Sequence, residues 1–250
     1  MRTVNLNVAL QYPDNVVEAA VIAHLDIEHI LQEFIDGTSF YSFYSQKIDD
    51  FNNEVNDSVL DLIERYNHAY SPVEAPDSRM LSTKYLNQIH ALKGDTRITE
   101  AEKIASAAIL MEQWKHEISA LVKLPATVML EQHKSVKISF EFNMMCALCR
   151  MKPVHALAKF LDQVSLARVQ AYNQFNQEVS FKKRPYVSDQ NLPRTQPEIR
   201  KKYEKRFTVL HKRMNRIKSF EERYIAYQDF YKQWYQELMN GFDSNPPICA

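Results

Sequence analysis

The residues whose spacing is closest to a metal or redox site are a CxxC pair and three acid–histidine pairs. Cys146 and Cys149 form the CxxC. The acid–histidine pairs are Asp26 and His29, Glu64 and His68, and Glu112 and His116. Structural zinc needs four ligands, and a di-iron bundle needs two Glu-x-x-His motifs with two further carboxylates. Neither set is complete, so we expect buried, unreactive cysteines, local surface pairs, and no metal or cofactor.

Glycine is scarce, which bears on enzyme chemistry. The chain has three glycines, far below the usual share of about 7%. No glycine-rich loop is present to surround a phosphate with backbone amides, and no HExxH or GxSxG motif occurs. No nucleophile–base motif is evident either. We therefore predict that the chain is not an enzyme.

Charge is distributed unevenly along a chain whose net charge is zero. Residues 1–100 carry a net charge of −9, whereas residues 181–250 carry +7. Within the latter, residues 181–218 hold 13 Lys/Arg against 3 Asp/Glu. A basic segment of this kind often contacts nucleic acid or another polyanion.

The basic segment has the period of an amphipathic helix. Its apolar positions are Ile199, Tyr203, Phe207, Leu210, Met214 and Ile217. Its predicted phosphate contacts are Lys182, Lys183, Arg184, Arg200, Lys201, Lys202, Lys205, Arg206, Lys212 and Arg213. Such contacts give sequence-independent affinity that falls with salt. The alternatives are a solvated face, or a face that pairs with the acidic N-terminal half.

An aromatic stripe continues this helix, with a capping box at Ser219 that breaks it in two. The stripe consists of Phe220, Tyr224, Tyr227, Tyr231, Trp234 and Leu238. Aromatic rings can stack on single-stranded bases, but this spacing is more typical of a core or an oligomer interface.

The elements that must position these residues are mainly helical. Helices are predicted over about 13–35, 46–70, 78–92, 99–123, 143–151, 153–179 and 199–240. Residues 135–142 alternate apolar and polar side chains, which predicts a strand, and 3–10 is a second candidate. A lone strand must find a partner. A second copy of the same strand is one choice, and a hairpin with residues 126–130 or a plain edge strand are the others. The remaining alternative is that the segment is helical throughout.

The strand-helix-helix pattern over about 135–172 resembles the ribbon-helix-helix family of DNA-binding proteins. The resemblance implies a homodimer whose paired strands enter the major groove, with Lys137, Ser139 and Glu141 reading bases. It also implies that Lys134, Lys152 and His155 contact phosphates. The family places a glycine between the two helices, whereas this chain has Met151-Lys152-Pro153 there.

Four regions follow from these patterns. They are an acidic helical region (1–130), the ribbon-helix-helix-like unit (131–180), a linker (181–198) and a basic, aromatic helical extension (199–250). No apolar run reaches the length of a membrane span, and no signal peptide is evident, so a cytoplasmic chain is expected. The combined prediction is a mainly α, homodimeric, sequence-specific double-stranded DNA-binding regulator. The alternatives are a helical scaffold with a protein partner at the acidic region, or a single-strand or RNA binder.

Overall fold

The computed structural model describes residues 9–23, 25–40, 76–131, 134–172 and 197–244, apart from the side chains of 241–244. The helix expected over 46–70, most of the 3–10 strand candidate, and residues 182–184 lie outside this part. The described helices are α1 (Asp14–Ala23), α2 (Ile27–Asp36), α3 (Pro76–Gly94), α4 (Glu100–Ser119), α5 (Phe140–Leu148), α6 (Pro153–Leu161), α7 (Leu166–Tyr172), α8 (Pro197–Met214) and α9 (Phe220–Ser244). Two short strands, β1 (Thr127–Met129) and β2 (Ser135–Lys137), complete the described part. The prediction of a mainly α fold is confirmed for it.

Two compact units divide the chain, and each is built from separated stretches of sequence. The first contains the residues up to Gln11 together with Leu31–Phe160, and the second contains Tyr12–Ile30 together with Leu161–Ala250. The β-strands and α3–α5 belong to the first unit, and α1 and α7–α9 belong to the second.

In the first unit, α3 and α4 pack as a helical pair around Trp114. Thr99 caps α4 through a reciprocal capping box with Glu102. The Trp114 ring, fully buried, stacks on Tyr85 with centroids 5.9 Å apart and meets Phe140 edge-on at 5.4 Å. The Tyr85 hydroxyl donates to Glu117 over 2.6 Å. Burial, with this bond adding to it, raises the pKa of Tyr85 to about 12.

The two strands form an antiparallel hairpin within the chain. Val128 pairs with Val136, and both side chains are buried. On the outer edge of β2, the amide and carbonyl of Lys137 bond to the side chain of Gln32 at 3.0 and 3.1 Å. The partner of β2 is therefore β1, the hairpin alternative left open by the sequence. Homodimer formation stays a prediction.

The strand predicted over 135–142 ends at Lys137, so its predicted extent is wrong beyond that residue. Ser139 has extended backbone angles, and its side chain accepts from the amide of Phe142, so α5 begins at Phe140. The alternation of Ile138, Phe140 and Phe142 suits a strand, but Phe140 and Phe142 also open a mainly apolar segment in which every position from 142 to 147, including Asn143, is buried. A run of this kind does not distinguish strand from helix by period alone.

An arginine occupies the turn between α5 and α6 where the resembled family has glycine. Arg150 adopts a left-handed conformation with φ of 57°. The Met151 amide bonds to the Cys146 carbonyl at 2.8 Å, and the Arg150 amide bonds to the Ala147 carbonyl at 3.0 Å. This is a Schellman ending, which satisfies the last carbonyls of α5. The turn therefore forms without glycine, at the steric cost of a Cβ in this conformation.

The second unit is a helical cluster whose core is aromatic. The α8 and α9 helices run antiparallel, and α9 packs on α7 and α1. Its buried residues are Ile22, Ala167, Ala171, Tyr203, Met214, Tyr227, Phe230, Tyr231, Trp234 and Leu238. Arg223, 2% exposed, donates to the Ala171 carbonyl at the end of α7. Ser219 accepts from the Glu222 amide, so the predicted break before α9 is confirmed.

Two of the predicted helices are each divided. The helix expected over 13–35 is interrupted between Ala23 and Ile27. The helix expected over 153–179 is interrupted between Leu161 and Leu166, where the Ser165 hydroxyl accepts from the Arg168 amide. Serine can start a new helix by satisfying such an amide, which explains the second division.

Candidate nucleic-acid interface

The α8 helix presents a basic outer face because its apolar positions are used to pack on α9. Tyr203 and Met214 are buried, and Ile199, Phe207 and Leu210 pack partly buried against the same cluster. At 3.6 residues per turn, Lys201, Lys205 and Lys212 lie on the side opposite Tyr203. All three are exposed.

Two of the predicted phosphate contacts instead form ion pairs with neighbouring carboxylates. Arg200 forms a 2.7 Å ion pair with Glu204, and Lys202 forms one of the same length with Glu237. The bond from Lys202 is the main reason that the pKa of Glu237 is lowered. Exposed pairs of this kind contribute little stability, but they reduce the charge available to a phosphate.

Arg206 is held differently, by a polar and an aromatic neighbour. Its guanidinium donates to the Gln233 side-chain oxygen at 2.8 Å and lies 4.8 Å above the Tyr203 ring. Neither contact neutralises its charge. Arg206 is therefore positioned and still cationic.

Six cations on α8 and the turn after it are exposed and have no acidic partner in the described ranges. They are Lys201, Lys205, Lys212, Arg213, Arg216 and Lys218. We call these six residues the basic face. Arg216 and Lys218 were missing from the predicted phosphate contacts, although both belong to the same basic run and their charge was visible in the sequence.

Four of the six members of the aromatic stripe lie in the core, which confirms the core alternative for them, and Phe220 and Tyr224 pack partly buried against that core. Tyr203 stacks on Trp234 with centroids 5.4 Å apart, and the Tyr227 hydroxyl lies 3.0 Å from His211 Nδ1. Tyr227, Tyr231 and Trp234 are all buried. Buried rings do not offer a face on which a nucleic-acid base can stack.

The three residues predicted to read bases lie in the first unit and have different roles. The side chain of Lys137 is exposed, whereas Ser139 caps α5. Glu141 accepts from the Phe40 amide at 2.5 Å and is partly buried. Desolvation raises its pKa, although the bonds from Phe40 and Ser39 oppose this. The structure therefore does not bring the three together on one strand face.

The remaining predicted phosphate contacts of the first unit lie at two places. Lys134 is exposed at the residue before β2, and Lys152 and His155 are exposed at the beginning of α6. The His155 amide bonds to the Lys152 carbonyl at 2.9 Å, so it belongs to the first turn of the helix.

The CxxC pair and the pairs Asp26/His29 and Glu112/His116 belong to no metal-binding group among the described residues, and Glu64/His68 lies outside them. Cys146 is buried, and desolvation raises the pKa of its thiol. Desolvation likewise raises the pKa of Cys149 to about 11, so neither is a ready thiolate. Within the described ranges, no group of three or more His, Cys, Asp or Glu is placed to hold a metal ion.

In the same ranges, no helix has the length and apolar character that crossing a membrane requires.

Comparison of the chain with protein-family models, with curated proteins and with solved structures gave no match. The assignment of a function therefore depends on the residues themselves.

Proposed function

We propose that this chain binds double-stranded DNA through its phosphates, using the basic face of α8 and the turn that follows. The observation that carries the proposal is the set of six exposed cations without an acidic partner in the described ranges. Arg206, held over Tyr203, adds a seventh cation beside them.

The spacing of the basic face suits a polyanion. Lys201 and Lys212 are 11 residues apart on one helix, which corresponds to about 16 Å along its axis. Duplex DNA carries a phosphate charge about every 1.7 Å of its axis. Several cations can therefore reach phosphates at once, and each contact releases condensed counterions.

Duplex is favoured over a single strand because the central aromatic rings in the described part of the second unit are buried. Single-strand binding depends on exposed aromatic side chains, whereas Tyr203, Tyr227 and Trp234 are buried. Phosphate contact alone does not distinguish sequences. Any sequence-specific component would depend on Lys137, since Ser139 and Glu141 already bond within the first unit.

The test measures binding of the full chain to a labelled mixed-sequence duplex by fluorescence anisotropy, repeated across a salt series. With six contacts, the slope of log affinity against log salt should be about −5. The variant Lys201→Gln/Lys205→Gln/Lys212→Gln should flatten the slope by about 3 and weaken binding at least about tenfold at low salt.

A matched control removes the same charge elsewhere. Arg79, Lys115 and Lys123 are exposed cations of the first unit, and replacing all three by Gln leaves the basic face intact. This control should bind duplex like the unaltered chain. Equal losses in the two triple variants would show that net charge, and not the basic face, governs binding. Absence of duplex binding at low salt would refute the proposal.

A further inference from the structure

An open groove runs along one side of the α8–α9 pair, within the second unit. Its volume is about 490 Å³, which falls in the range of pockets that hold small organic ligands. Val209, Leu210, Ala226 and Phe230 form its apolar surface, and Lys205, Arg206 and Arg213 are the cations beside it.

The apolar surface of the groove includes a side chain that the fold itself leaves uncovered. Val209 is 71% exposed although it adjoins the partly buried Leu210 and the buried Phe230. Single exposed apolar residues are ordinary on protein surfaces. Here, however, the exposed valine belongs to a concave surface with other apolar residues, so a ligand placed there would remove apolar area from water.

Cations stand at both ends of this apolar surface. Lys205 and Arg206 precede Val209 by one helical turn, and Arg213 follows it by one turn. Arg206 is fixed by Gln233 at 2.8 Å and by the Tyr203 ring, so its guanidinium is ordered before a ligand arrives. Among the described residues that line the groove, Asp229 alone is acidic.

We propose that this groove binds a small amphiphilic anion. The aliphatic or aromatic body of the ligand lies on Val209, Leu210 and Phe230. Its carboxylate, phosphate or sulfonate lies against Arg206 or Arg213, where a planar guanidinium can bond two oxygens. A ligand with no charge would leave the cations unused, and a cationic one would be repelled.

The test is a titration of the full chain with anilinonaphthalene sulfonate, in which the fluorescence of the probe reports binding. This probe has an aromatic body and one sulfonate. Decanoate serves as an aliphatic competitor, and decyltrimethylammonium is the competitor of opposite charge. We expect saturable binding at one site and displacement by decanoate but not by the cation. Val209→Asp should raise the dissociation constant about tenfold or more, and Arg213→Gln about threefold or more.

Two control variants test the location. Ile109→Asp places the same charge at another exposed aliphatic residue, 60% exposed on α4. Arg79→Gln removes an exposed cation of the first unit that does not line the groove. Both should change the dissociation constant by less than about twofold. Val209 and Arg213 are exposed, so circular dichroism should show unaltered helix content in the Val209→Asp and Arg213→Gln variants.

Three results would overturn the proposal. The first is the absence of saturable binding, and the second is equal binding by the Val209→Asp variant and the unaltered chain. The third is a change of sedimentation behaviour caused by Val209→Asp, since this would assign the groove to contact between copies of the chain. The proposal does not depend on DNA binding, because the anion probe is tested alone.

Discussion

The role of Glu141 depends on a contact between its carboxylate and Phe40, which lies 101 positions earlier in the sequence. The carboxylate accepts from the Phe40 amide at 2.5 Å, and desolvation raises its pKa above the ordinary value of 4.5. The carboxyl group of Glu141 therefore binds a proton more tightly in the folded chain than in the unfolded chain. The stability that Glu141 contributes is fully present below about pH 4.5 and is lost as pH rises through the folded-state pKa.

Replacing Glu141 by glutamine should remove this pH dependence. Glutamine keeps an oxygen for the Phe40 amide but carries no charge, so no charge needs to be desolvated at neutral pH. We expect the free energy of unfolding of Glu141→Gln to rise relative to the unaltered chain between pH 4.5 and 7.5. Urea denaturation across this range measures it. Glu112→Gln, at a carboxylate whose side chain is 77% exposed, is the matched control. Identical pH dependence in both variants would contradict the argument.

At the scale of elements, Ser139 determines where the hairpin ends and α5 begins. Its hydroxyl accepts from the Phe142 amide at 3.1 Å, which satisfies one of the first amides of the helix. Ser139→Ala should therefore lower the free energy of unfolding by about 1 kcal/mol. Urea denaturation measures the loss, and Ser139→Asp, which retains a capping oxygen, should recover most of it.

The Ser139→Ala variant also tests whether Ser139 acts as a helix cap or as the base-reading residue that the resemblance implies. A cap affects stability and leaves duplex preference unchanged, whereas a base-reading residue affects discrimination between sites. Competition between duplexes of different sequence, measured where the variant is fully folded, distinguishes the two. A changed preference at unchanged stability would support base reading.

Local patterns predicted some elements, and distant contacts determined the rest. The capping box at Thr99 and the hydroxyl cap of Ser219 are satisfied within a few residues, so their helices begin as expected. The strand over 135–142 was predicted too long, because helix and strand both suit its apolar residues. That Gln32 bonds to the edge of β2 was not predictable, since 105 residues separate it from Lys137.

The sequence likewise predicts one part of the candidate interface and not the other. An amphipathic helix with lysines on its outer face exposes them wherever its apolar face packs, so the basic face of α8 follows from the sequence. Which cations stay available depends on α9, because Glu237 and Gln233 hold Lys202 and Arg206. These pairings join residues 27 or more positions apart and have no local signature.

At the scale of the whole molecule, net charge is a poor guide to binding. The chain has 31 basic and 31 acidic residues, yet the basic face carries six cations without an acidic partner in the described ranges. At physiological salt, charges beyond about 8 Å are largely screened from a phosphate. The residues next to the phosphate therefore dominate its binding free energy.

The two tryptophans of the chain lie in different units, which makes them separate reporters. Trp114 packs with Tyr85 and Phe140 in the first unit, whereas Trp234 stacks on Tyr203 in the second. Neither indole N–H has a hydrogen-bond acceptor in the described part of the chain. Phenylalanine can therefore replace each one without the loss of a hydrogen bond, and circular dichroism would show whether the fold persists.

Duplex binding should change the emission of Trp234 but not that of Trp114. Arg206 lies 4.8 Å from the Tyr203 ring, which is stacked on Trp234, so a phosphate beside Arg206 alters the field at this stack. The measurement is a duplex titration of Trp114→Phe, which retains Trp234, beside Trp234→Phe, which retains Trp114. A response confined to Trp114 would place the duplex on the first unit, where the resemblance put Lys134, Lys137, Lys152 and His155. That result would favour the ribbon over the basic face of α8, since only the first unit contains the β-hairpin.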